Sequence, residues 1–163
     1  MMGGMEALLD SLREVVEHTR VVVSDGLGDG RIRRAADSEL LDAMVLAGEL
    51  TRLVDALLIE STGEISCRSD SPDRDTRLTT RMGCHDVSEL VQRLTRLGLA
   101  SAARLQRAAK AVAMPESILG EELPPVLPAM RAALADGEVG STVCSLSRAP
   151  SRASVTASVA SWC

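Results

Sequence analysis

The sequence predicts an all-α fold, an irregular bundle of about five to six helices that includes a helix-turn-helix-like pair. Three observations lead there. Phe and Tyr are absent and the single Trp is Trp162, so a core must come from Leu, Val, Ala and Met, which suits helix-on-helix packing better than a β-sandwich. Apolar residues recur at three- and four-residue steps in most of the chain. Capping and breaking residues stand where helices of ordinary length would start and stop.

The chain has 163 residues, 45% of them apolar, which is enough for one helical domain. Residues 1–140 read as that domain and residues 141–163 as a low-complexity, disordered tail. The tail holds seven Ser among 23 residues, no acidic residue and no apolar register.

Met5, Leu8, Leu9, Leu12, Val15, Val16 and Thr19 give the first amphipathic helix. It is expected to stop before the cluster Ser24-Asp25-Gly26-Leu27-Gly28-Asp29-Gly30, a loop by composition. That loop is no phosphate cradle, because no Gly-Lys-Ser/Thr follows it and no strand precedes it.

The second helix is expected over about Asp37 to Thr62, capped by Asp37 or Ser38 and stopped at Gly63. Leu40, Ala43, Ala47, Leu50, Val54 and Leu57 form its stripe, widened by Leu41, Met44, Leu46, Leu53 and Leu58. A stripe of that width fits a core helix with several neighbours, and alternatively a dimerisation surface carried by Leu50, Val54 and Leu57.

A polar connector, 64–76, leads to a short helix after Pro72 that ends at Gly83. Asp86 with Glu89 resembles a capping box, and Leu90, Val91, Leu94 and Leu97 give the buried side of the helix that follows. Gly98 breaks the chain before a helix from about Ala100 to Met114, with Leu105, Ala109 and Val112 inward and Arg104, Arg107 and Lys110 outward. A last helix, Leu127 to Ala135, closes at Asp136-Gly137.

The net charge of −5 is unevenly spread. Residues 1–76 hold 16 acidic and 8 basic residues, whereas residues 77–114 hold 7 basic and 2 acidic ones. Arginine count alone argues little for nucleic-acid binding here. Seventeen Arg against one Lys, with no Asn, reflects a GC-rich coding sequence. The acidic start is unlike a signal peptide, and no apolar run nears the roughly 20 residues that span a bilayer. Cys67, Cys84, Cys144 and Cys163 lack the regular spacing of a disulfide framework. These features lead to the expectation of a cytoplasmic protein with reduced thiols and no membrane partner.

Several segments together resemble a known family. They are Gly63-Glu64-Ile65-Ser66, then Arg81-Met82-Gly83-Cys84 leading into Ser88-Glu89-Leu90-Val91-Gln92-Arg93-Leu94-Thr95. Next comes Ala102-Ala103-Arg104-Leu105-Gln106-Arg107-Ala108, then Leu123-Pro124-Pro125, and finally Ala132-Ala133-Leu134-Ala135-Asp136-Gly137-Glu138-Val139-Gly140. The order and spacing resemble the N-terminal part of the domain of unknown function 222 (DUF222) family, found in actinobacteria and in the 13E12 repeat proteins. The resemblance covers roughly residues 5–140.

It implies a helical accessory domain that in many relatives precedes an HNH endonuclease module, often in proteins of mobile elements. It brings no established catalytic residues. Because residues 141–163 depart from the family's continuation, the expectation is a truncated relative, its tail a product of frameshift or recombination.

The residues themselves favour no chemistry. An HNH centre needs two His and usually an Asn, whereas this chain has isolated His18 and His85 and no Asn. Cys67 with the adjacent pair Cys84-His85 does not match the paired spacing of zinc ligands. No G-x-S-x-G elbow accompanies the many Ser residues. The expectation is therefore no enzyme, no metal site, no cofactor and no small-molecule substrate.

Two working readings remain. In one, the pair of helices over Asp86–Met114 contacts double-stranded DNA through Arg93, Arg96, Arg104, Arg107 and Lys110; the alternative for those residues is a solvated helix face. In the other, the second helix makes a homodimer or binds another protein. A third outcome is a remnant with no present function. Lacking aromatic side chains in the domain, the chain is poorly suited to stacking on single-stranded bases.

Overall fold

The computed structural model describes residues 3–114, 124–125 and 127–142. Among these the protein is all-α, with seven α-helices and one 3-10 turn. The chain divides into two compact units, Met1–Ala47 and Gly48–Cys163, and the boundary falls inside a helix.

The first unit contains α1 (Gly3–Gly28), α2 (Arg31–Arg34) and the start of α3 (Asp37–Ser69). The expected stop before Ser24 is not there. Glycine lowers helix stability by about 1 kcal/mol per residue but does not end a helix unless a competing turn takes over. That turn comes only at Asp29-Gly30, where Gly30 adopts the left-handed conformation with φ 61°. A Cβ on Gly26 would lie 3.9 Å from Ile32 Cδ1, an ordinary contact distance, so α2 leans on the end of α1.

At the start of α3 neither Asp37 nor Ser38 is the cap. Ala36 accepts from the Leu40 N–H at 3.0 Å, and Glu39 reaches back to the Ala36 N–H at 2.8 Å. This is the Glu half of a capping box, standing without a capping side chain. No residue from 4 to 47 is buried.

The second unit holds the core, an irregular helical bundle. The later part of α3 contributes Ile59, α5 (Val87–Thr95) contributes Val91, and α6 (Leu99–Val112) contributes Ala102, Leu105, Ala108, Ala109 and Val112. Leu134 of α7 (Pro128–Ala135) completes it. Gly63 does not stop α3, which runs on to Ser69 and takes in the first part of the expected connector. A Cβ on Gly63 would sit 3.8 Å from Ala109 Cβ, so this glycine marks a close approach of α3 and α6.

The helix expected after Pro72 is split into a 3-10 turn, Arg74–Thr76, and α4, Leu78–Arg81. Asp73 caps the first piece by accepting from the Asp75 N–H. Gly83 follows with φ 65°, the left-handed stop that the sequence suggested.

Residues 143–163, most of the expected tail, lie outside the described residues. Ser141, at its start, is buried, and its N–H donates to Asp55 Oδ2 at 2.8 Å. Arg52 Nε likewise donates to the Gly137 carbonyl at 2.7 Å. A single turn of α3 thereby holds the segment that leaves α7.

Candidate interaction surfaces

The helix pair predicted over Asp86–Met114 forms. Asp86 Oδ1 accepts from the Glu89 N–H at 2.8 Å, and Glu89 Oε2 accepts from the His85 N–H at 2.7 Å, one residue before the reciprocal partner of a standard capping box. α5 then packs on α6 through Val91, with Leu90 also buried, both 2% exposed, while Leu94 is open to solvent, contrary to its expected place in the buried side. Leu94 stands in the last turn, just before the chain leaves the helix at Arg96.

The break itself is not at Gly98. Arg96 takes the left-handed conformation, φ 58°, and its N–H closes α5 on the Gln92 carbonyl at 2.8 Å. Gly98 has φ −70° and ψ 161°, which any residue adopts.

The five basic residues of this pair separate into two groups. Arg93 is tied to Glu89 (3.0 Å) and to the Met82 carbonyl (3.2 Å). Arg104 is half-buried along α6, donates to Ser101 Oγ at 2.9 Å, and has a buried Nε without a partner. Arg96, Arg107 and Lys110 are exposed. Arg107 and Lys110 stand three residues apart, on one side of α6.

Leu50, Val54 and Leu57, the dimerisation candidates, are 38%, 45% and 42% exposed. At 100° per residue they lie about half a turn from Arg52, Asp55 and Ile59, the α3 residues that hold the second unit together. The wide stripe of α3 is therefore two faces, of which only one serves the core.

Among the described residues, the Cys and His side chains do not converge on one site. Cys84 is buried and Cys67 exposed, and the imidazole Nδ1 of His85, in the loop before α5, lies 3.8 Å from Asp86 Oδ2. Among the described residues no group of three or more His, Cys, Asp or Glu could hold a metal ion. None of the described helices is long and apolar enough to cross a membrane. A shallow, open depression lies against α2, lined by Arg31, Ile32, Arg34, Ala35 and Glu39.

No protein-family model, no curated protein and no solved structure matches the chain. Its likeness to the DUF222 family stands on the quoted segments alone.

Proposed function

We propose that this chain is a non-catalytic helical interaction module that self-associates through the outer face of α3. One observation carries the reading: Leu50, Val54 and Leu57 are open to solvent directly across the helix from the side that holds its own core. Apolar side chains in a row at helical spacing favour burial against a partner helix. The test is analytical sedimentation over a wide concentration range, with V54D and L50D beside the parent chain. A concentration-dependent association that either variant weakens supports the reading. Association indifferent to both variants, or its complete absence, refutes it.

A second reading is duplex DNA contact by the α5–α6 pair, in the accessory role that the DUF222 resemblance implies beside a nuclease. It is favoured by the exposure of Arg96 in the turn and of Arg107 and Lys110 on one side of α6. Phosphate contacts by these three would give binding that falls as salt rises and drops in R107E/K110E. A gel shift at low salt that detects no duplex binding removes this reading.

A further inference from the structure

The stripe on α1 continues beyond the residues that first reveal it, and its repeat is seven rather than 3.6. Met5, Leu12, Thr19 and Gly26 recur every seventh residue, and the pairs Leu8/Leu9, Val15/Val16 and Val22/Val23 recur at the same interval. A strict seven-residue repeat over three turns of the pattern keeps one seam facing a partner helix along the whole length. Within the described chain α2 meets only the end of this seam, where Ile32 Cδ1 lies 3.9 Å from a Cβ on Gly26. Met5, Leu8, Leu9, Val15, Val16, Val22 and Val23 are all between 43% and 63% exposed.

We propose that α1 pairs antiparallel with α1 of a second copy. A two-fold axis between Val15 and Val16 sets Leu12 opposite Thr19, Leu9 opposite Val22, Leu8 opposite Val23 and Met5 opposite Gly26. Every stripe position then meets another stripe position. The bulky first half of one helix meets the slimmer second half of the other. Parallel pairing would stack Met5 on Met5 and leave Thr19 facing its own copy.

Charge points the same way. The first turns of α1 carry Glu6 and Asp10, whereas α2, leaning on the far end of the helix, carries Arg33 and Arg34 beside Arg31, which is paired with Asp29 at 3.3 Å. Antiparallel pairing brings the acidic start of each copy towards the arginines of the other, and parallel pairing brings like beside like. Arg13 and Arg20 also approach across the pair, but each already has a carboxylate within its own helix, Asp10 at 2.5 Å and Glu17 at 2.7 Å.

The area suffices. Seven half-open aliphatic residues expose on the order of 600 Å² per copy, so the pair would bury roughly 1,200 Å², the lower bound for a specific interface.

The proposal is independent of the α3 face and separable from it. Sedimentation of the full chain carrying V16E, with helicity checked by circular dichroism, is expected to show a dimer dissociation constant raised roughly a hundredfold. L50D/V54D is expected to leave the α1 dimer in place. If both faces act, the parent chain assembles beyond a dimer and each variant reduces it by one step.

Direction is read by oxidative cross-linking, with the parent chain as the blank for its native thiols. L12C mixed with T19C should cross-link, and L12C alone should not. A chain that is monomeric at high concentration overturns the proposal, as does association unmoved by V16E or efficient self-cross-linking of L12C.

Discussion

Arg131 on α7 and Glu60 on α3, 71 positions apart, meet in a two-point ion pair, Nη1 to Oε1 at 2.6 Å and Nη2 to Oε2 at 3.2 Å. The same guanidinium donates to the Val112 carbonyl at the end of α6, at 3.2 Å. One side chain thus ties three helices of the second unit. The pair is well exposed, 31% and 50% at the two side chains, so its charge attraction is screened and each part contributes modestly.

Glu60→Gln is expected to cost about 0.5 kcal/mol in urea denaturation, an effect that shrinks at high salt. Arg131→Met also leaves the α6 terminal carbonyl without this donor, and should cost about 1 kcal/mol or slightly more. Equal losses for the two variants would mean that the Val112 contact adds nothing.

Ile59 is the test of the core. It is fully buried between α3 and the Ala-rich α6, with Val91 and Leu134 in the same cluster. Ile59→Ala removes three heavy atoms from a site that has little freedom to collapse, and the expected loss is about 3 kcal/mol. Ile59→Val should cost about 1 kcal/mol. A denaturation midpoint unchanged by Ile59→Ala would contradict the packing of α3 on α6.

Two left-handed residues make opposite predictions. Arg96 bears a side chain at φ 58°, a conformation that costs an ordinary residue about 1 kcal/mol, so Arg96→Gly is expected to stabilise the fold by about 0.5–1 kcal/mol. Gly137 has φ 69°, and a Cβ there would lie 2.9 Å from Leu53 Cδ2. Gly137→Ala should therefore cost more than about 1 kcal/mol. Thermal melts of the two variants should move in opposite directions.

The cap at Asp86 is the simplest of the set. Asp86→Ala frees the Glu89 N–H at the start of α5, and a loss of about 1 kcal/mol is expected. Asp86→Ser should restore most of it, which a purely electrostatic role at the helix start would not allow.

What the sequence made legible were the features written in local chemistry. The Asp86–Glu89 cap, the inward set Leu105, Ala109 and Val112, and the Asp136-Gly137 stop all depend on neighbours within a turn or two. Gly137 and Glu138 close α7 by donating to the Leu134 and Ala133 carbonyls, 3.1 and 2.9 Å away. The misreadings share a different cause. Gly63 and Gly26 looked like punctuation because a glycine in sequence shows only its cost. Its neighbours in the fold, Ala109 beside Gly63 and Ile32 beside Gly26, come from elsewhere in the chain. Gly98 drew attention from Arg96 because the left-handed position carries a residue that statistics place there rarely.

The candidate surfaces were legible only in part. Periodicity marks α1 and α3 as two-sided, but it cannot say which side the rest of the chain covers. For α3 that was decided by Arg52 and Asp55 reaching the segment after α7, contacts 85 and 86 residues distant in sequence. The basic residues of the helix pair looked alike in sequence and differ in place. Glu89 engages Arg93 and the helix body half-covers Arg104, while Arg107 stays open.

The contact of Gly63 with Ala109 has a consequence for how this protein can drift in sequence. Where α3 meets α6 the touching surfaces are a hydrogen and a methyl group, with Ala102, Ala108 and Ala111 equally enclosed along α6. At the enclosed alanines of α6 one added methylene strains the packing, at about 1–3 kcal/mol, whereas a methyl on Gly63 would meet Ala109 Cβ at an ordinary 3.8 Å. The large aliphatics of α1 stand in the open and, within a single copy, tolerate exchange at little cost. Within a single copy the small residues of α6 are thus held as tightly as the large core residue Ile59, and the large residues of α1 only loosely. If selection nevertheless holds Leu8, Leu12 or Val16 fixed, the constraint comes from something outside the single chain.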